Sequence, residues 1–294
     1  MMTSRFTLAL VGLVAVALPL ASASAHRQWI LPSQTAVDDA GAYVTFDAAV
    51  SEGLFDFDSF PLKVEGLTVT GPDGQPVQPE NVSAGKRRST FDVKLDKPGT
   101  YRIAMVTNSA MGSYMLNGEQ KRFRGSESEV PKDATDIRVT HMEGRIESFV
   151  SAGEPTATAI APVGKGLEIV PVTNPTENIV GTPAKFRALV DGKPTPDIDV
   201  TIVPGGGRFR ANLGDMTVKS DAKGEVTVNW PMAGMVWLGA SWPPRPAGAE
   251  GGPGGQGGPG GGAGMGGGEG GPGQRAPQPP RRLSYAATYE VSPF

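Results

Sequence analysis

Alternation of apolar and polar residues, broken at short intervals by proline and glycine, governs what this chain can fold into. Ala42-Tyr43-Val44-Thr45-Phe46-Asp47 alternates, and Leu67-Thr68-Val69-Thr70 does so before the turn Gly71-Pro72-Asp73-Gly74. Phe91-Asp92-Val93-Lys94-Leu95 alternates, breaks at Lys97-Pro98-Gly99 and resumes as Tyr101-Arg102-Ile103-Ala104-Met105. A period of two with breaks of this kind marks half-buried antiparallel strands. No dozen-residue window carries a 3.6-residue apolar period, and Val130 to Thr140 has room for no more than a helical turn. A second block repeats the pattern from Leu167-Glu168-Ile169-Val170-Pro171-Val172 onward. It contains Pro183 to Val190, the hairpin signal Asp191-Gly192, Ile198 to Val203, and Val226 to Trp230. The expected fold class is all-β, with two antiparallel β-sandwich domains of Ig-like or prealbumin-like design, at 26–163 and 164–294.

The blocks share a faint repeat. Phe91, Val93, Leu95, Gly99 and Ile103 align without gaps on Val226, Val228, Trp230, Gly234 and Leu238. Residues 246–280 are mostly glycine and proline, with little to bury, and read as a disordered insertion. After them Leu283, Tyr285, Ala287, Tyr289 and Val291 alternate with mostly polar residues. This last strand is expected to pair with Val236 to Ser241 as a hairpin around the insertion.

Export is read from the other end. Arg5, an apolar run from Phe6 to Leu20, and Ala21-Ser22-Ala23-Ser24-Ala25 have the three parts of a signal peptide, with Ala25 the last residue removed. The expected location is the periplasm, with no transmembrane segment in the mature chain. The chain has no cysteine, so no disulfide supports the fold. Net charge is −3, and no basic stripe interleaved with aromatics offers a nucleic-acid surface.

Catalytic motifs are missing. With 2 histidines, no cysteine and no G-x-S-x-G elbow, nucleophilic catalysis has no apparent machinery, and Gly205-Gly206-Gly207 lacks the Lys-Ser/Thr of a phosphate loop. No enzyme is expected. Processing after Ala25 would leave His26 as the first residue, offering its α-amine and a ring nitrogen to one metal ion. Nitrogen donors suit copper, nickel, zinc and iron. The only other imidazole is His141. Asp56 and Asp58, in an acidic aromatic stretch from Glu52 to Phe60, complete the candidate metal set. Met105, Met111, Met115 and Met142 offer thioethers, though methionine more often fills gaps in a core.

Several segments together resemble the periplasmic family called domain of unknown function 4198 (DUF4198). They include Ala25-His26-Arg27-Gln28-Trp29-Ile30-Leu31-Pro32-Ser33, Gly144 to Val150, Gly164 to Thr173, Val203-Pro204-Gly205-Gly206 and Ala286 to Val291. Thr217 to Trp230 also resembles a carboxypeptidase-regulatory type of β-sandwich. The resemblance implies an envelope accessory of transition-metal uptake (nickel, cobalt, copper or iron) associated with TonB-type systems, with a divalent transition metal ion as ligand and no reaction. Of possible ligands only His26 carries over by position. The chain lacks the histidines that relatives often have near Ser59-Phe60 and in place of Asn174. The alternative is a structural or protein-interaction module of the envelope with no metal.

Overall fold

The computed structural model describes residues 26–211, 214–244 and 280–294. The leader expected at 1–25 and nearly all of the insertion expected at 246–280 lie outside them. The strands in chain order are β1 (Arg27–Pro32), β2 (Ala36–Val37), β3 (Tyr43–Ser51), β4 (Phe60–Pro61), β5 (Leu67–Thr70), β6 (Pro76–Val77), β7 (Glu80–Ala84), β8 (Ser89–Lys94), β9 (Gly99–Leu116) and β10 (Glu119–Gly125). There follow β11 (Thr135–Ala152), β12 (Leu167–Pro171), β13 (Asn178–Ile179), β14 (Ala184–Val190), β15 (Lys193–Pro194), β16 (Asp199–Pro204), β17 (Met216–Lys219), β18 (Glu225–Val228), β19 (Gly234–Trp242) and β20 (Arg281–Ser292). The described chain is all-β, as its alternation requires. The stretch 130–140, which has room for a helical turn, holds none, and a 3₁₀ turn lies just before it at Glu127–Glu129. There Ser126 caps the Ser128 amide and Glu129 reaches back to the Ser126 amide. From Thr135 onward that stretch is strand.

Three sheets form. β1-β3-β8-β7 make one small sheet, with β4 beside β3, and β12-β14-β15 make another, with β18 beside β14. Between them runs an eleven-stranded sheet in the order β17-β16-β19-β20-β11-β9-β5-β6, which β2, β10 and β13 join at the side. One core lies between the first small sheet (Trp29, Phe46, Phe91) and Ile103, Met105 and Ile146 of the large one. The other lies between Ile169, Phe186 and Val226 of the second small sheet and Leu238, Tyr285 and Tyr289.

The faint sequence repeat is a repeat of strand plan. β1-β3-β8 are paired as β12-β14-β18 are, and β5 against β9 as β16 against β19. β2 lies parallel to the end of β11, as β13 does to the end of β20. The aligned glycines sit where the chain leaves a small sheet for the large one, after β8 and after β18. Gly99 has φ 122° and Gly234 φ 116°, values that a side chain makes costly. The two-sheet jump, not a hairpin, is therefore what the alignment detected.

The halves meet through β11 and β20, which run parallel from His141 opposite Arg281 to Ser148 opposite Thr288. Along these strands the two cores alternate. Ile146 and Ala286 point into the first, Phe149, Tyr285 and Ala287 into the second. Side chains alternate across a strand, so the two small sheets cover opposite faces of the large one. Hence Gly144 to Ala152 is buried without a break. Within this doubly covered seam the buried Glu147 accepts from the Tyr285 hydroxyl at 2.8 Å and from Arg145 at 3.2 Å. Burial, followed by the Glu147 charge, pushes the Tyr285 hydroxyl well above its ordinary range.

The expected pairing of the last strand is present: Gly234 lies opposite Val291 and Trp242 opposite Leu283. Asp191-Gly192 turns β14 into β15, both residues having positive φ as the hairpin signal requires.

Candidate functional site

β1 brings His26 to the junction of the halves. The residues that follow His26 are held by the second half. Trp237 Nε1 donates to the Gln28 carbonyl at 3.0 Å, and Arg27 lies 5.7 Å over the Trp237 ring and 3.5 Å from Asp215. That ring lies flat over Gly239, where any Cβ would stand 2.0 Å from it. His26 itself is half exposed. Its ring stacks on Phe60, with centroids 5.9 Å apart at 22°, and its Nε2 is 3.6 Å from Glu52 Oε1.

The acidic aromatic stretch, 52–60, folds beside it. Asp58 closes this loop on itself by accepting from the amides of Glu52 (3.1 Å) and Gly53 (2.8 Å) and from the Ser59 hydroxyl (2.8 Å). Burial pushes the other way, yet the Gly53 amide, the Ser59 hydroxyl and the Glu52 amide together hold the Asp58 carboxyl below the usual carboxylate range. Arg87 donates to the Asp58 carbonyl. Asp56 turns across the junction to Arg208 at 3.2 Å. Phe55, at φ 62°, presses on Gly205, where a Cβ would come 2.7 Å from its ring. The glycine run thus makes room for an aromatic of the other half.

The four candidate ligands are therefore not gathered at one point. His26 is joined by Glu52, while Asp58 serves backbone amides and Asp56 an arginine. His141 lies on β11 in the large sheet, opposite Ala110 and 3.9 Å from Glu127. Among the described residues no three His, Cys, Asp or Glu side chains group into a metal site. Sequence alone does not point to Glu52 as the partner of His26, because its approach depends on the pairing of Arg27 with Ser51 between β1 and β3. Met105, Met111 and Met115 share one face of β9. Met105 belongs to the first core.

A separate cavity of about 460 Å³ lies at the seam, lined among others by Glu143, Lys165, Asp191 and Arg281. Its central cation is already answered. Arg281 donates to both carboxylate oxygens of Glu143 at 2.7 Å and to Asp191 at 2.6 Å.

Comparison with known proteins assigns a family. Residues 23–243 match the domain of unknown function DUF4198. The chain belongs to that family. No curated protein matches it in sequence. Among solved structures, the D0-D1 domain of intimin is similar at 15% identity, over 72% of this chain and 88% of that one, with a TM-score of 0.19. The human OSCAR ligand-binding domain is similar at 12% identity over 76% and 94%, with a TM-score of 0.18. No helix among the described residues is long and apolar enough to cross a membrane.

Proposed function

We propose that this DUF4198 protein is a non-catalytic periplasmic accessory of transition-metal uptake, which takes a divalent ion at the amino terminus left by removal of residues 1–25. The observation that carries this reading is Glu52 beside the imidazole of His26, at 3.6 Å from Nε2. A carboxylate at one ring nitrogen favours the proton there and leaves the other nitrogen, Nδ1, as a lone-pair donor. Partners of this kind orient metal-binding histidines. Nδ1 is also the nitrogen that can close a small chelate ring with the α-amine. Phe60 limits rotation of the imidazole, and the hold of Trp237, Arg27 and Asp215 on β1 keeps the amino terminus from swinging away. The residues present thus fit an ion bound by an amine and an imidazole with a carboxylate behind them. The cargo is nickel, cobalt, copper or iron, and its delivery would involve TonB-type envelope components. The carboxypeptidase-regulatory character of the second half belongs to this same proposal.

The test is amino-terminal sequencing of the exported protein followed by calorimetric titration with Cu(II) and Ni(II). One ion per chain is expected, with copper bound more tightly by the Irving–Williams order. His26→Ala should abolish binding. One alanine added before His26 should weaken it nearly as much, since the chelating amine becomes an amide. An extended protein that binds as tightly as the native one would exclude the chelate. If native protein takes up no metal, the chain is an interaction module.

A further inference from the structure

β9 and β11 run far beyond the first core and, with β10 on the outer side of β9, form a three-stranded arm. Its two faces are chemically unlike. On one, Phe123 lies over Gly112 and beside Tyr114, with Lys121, Glu119 and the His141–Glu127 pair, so charges of both signs are present. The other face continues the core-facing side of β9 beyond Met105. The register places Arg122 and Arg138 on either side of Ser113, Arg124 beside Met111, and Arg282 beside Met142. The contact of Gln120 with the Ser113 hydroxyl, 3.4 Å, confirms which side chains share that face.

These arginines differ from the rest. Among the described residues, every other arginine meets a carboxylate or a backbone carbonyl. Arg122, Arg124, Arg138 and Arg282 have no such partner, and the first three are exposed. The carboxylate nearest to them in sequence is Asp136, in the bulge of β11 at φ 47°. Strands are spaced about 4.8 Å apart, which sets Arg122 and Arg138 about 10 Å from one another across a flat sheet. Ser113 lies between them, the half-buried Met111, Met115 and Met142 on the same face provide adaptable apolar contact, and Ile137 is exposed at the tip.

We infer that this face docks on an anionic phospholipid surface. Guanidinium groups fit phosphate oxygens in pairs. A flat array of unanswered arginines, with thioethers beside them, suits a plane of headgroups rather than an enclosed ligand. The inference is independent of the metal site.

Vesicle co-sedimentation of the mature chain tests it, comparing phosphatidylcholine alone with phosphatidylcholine containing roughly one-third phosphatidylglycerol. Binding is expected only to the anionic vesicles, and it should weaken as salt is raised. Each basic residue near such a surface is worth about 1 kcal/mol, or about fivefold. Together Arg122→Ser, Arg124→Ser and Arg138→Ser should lower partitioning on the order of 100-fold with the melting temperature preserved. The control Arg187→Ser, Lys219→Ser, Lys223→Ser removes as much charge elsewhere and should have a far smaller effect. Equal binding to both vesicle types would overturn the inference. So would equal losses in the two variants, or retention of soluble polyglutamate in place of vesicles.

Discussion

The two halves of the molecule share one strand plan and differ in what each inserts between its last two long strands. In the first half the connection from β9 to β11 is drawn out into paired strand, adding β10 and a capped 3₁₀ turn. In the second half the connection from β19 to β20 carries the Gly-rich segment, outside the described residues. This corner is therefore where the shared plan lets the halves diverge. The flanking strands hold register without it, Trp242 already lying opposite Leu283 before the segment begins.

The halves are also unequal in dependence on their final strand, and removing residues 281–294 should have the largest effect of any change considered. β20 gives Leu283, Tyr285, Ala287, Tyr289 and Val291 to the second core and Ala286 to the first. Each large buried side chain is worth about 1.5–3 kcal/mol, against a total stability of about 5–15 kcal/mol. The truncated chain should lose the cooperative transition of its second half and show a lowered one for its first. A full calorimetric transition would break the account of β20 as the shared strand.

The aligned glycines sharpen the comparison. Gly99→Ala and Gly234→Ala impose the same φ strain, about 1–3 kcal/mol. At Gly99 the new Cβ would also meet Pro72 at 2.6 Å and Thr156 at 2.7 Å, whereas at Gly234 it meets nothing within 4 Å. Overpacking adds about 1–3 kcal/mol. Chemical denaturation should therefore show a greater loss for Gly99→Ala. Equal losses would mean that the two turns are not equivalent in the way their φ values indicate.

The smallest effect is expected from deleting Gly248 to Gly273. Shortening a loop about threefold recovers roughly 1 kcal/mol of closure entropy, so the melting temperature should stay level or rise by a few degrees. A clear fall would show that the insertion supports the second half after all.

The parts of the fold legible in the sequence are those where one face of a strand is wet. Phe91-Asp92-Val93-Lys94-Leu95 announces itself by alternation and Asp191-Gly192 by its turn chemistry, whereas Leu283 to Val291 alternates in sequence because the small Ala286 and Thr288 fill its second, covered face. β1 shows no alternation by which the sequence would mark it as a strand. Its buried run Gln28-Trp29-Ile30 loses alternation because Phe55 and Phe57 of the 52–60 loop pack against Trp29 on the face opposite to that of Ile30. β10 is hidden for the opposite reason: both its faces are largely exposed, so Glu119 to Arg124 reads as polar loop. The parallel seam left no local mark, since it joins residues about 140 positions apart by register alone. At the candidate site, His26 and the 52–60 loop were visible as residue types. The approach of Glu52 to the imidazole is not legible, because only strand pairing brings the two together.

The doubly covered seam has a consequence for how the chain comes apart. In a molecule whose halves are joined only by a tether, cutting the tether frees them. Here the segment from Gly153 to Gly166 is not what holds the halves together. A protease that severs it leaves β11 and β20 still laddered from His141 to Ser148, with Trp237 still bonded to Gln28. Nicked protein should run as two fragments in detergent and as one particle in native buffer, and the two pieces made separately should reassemble when mixed.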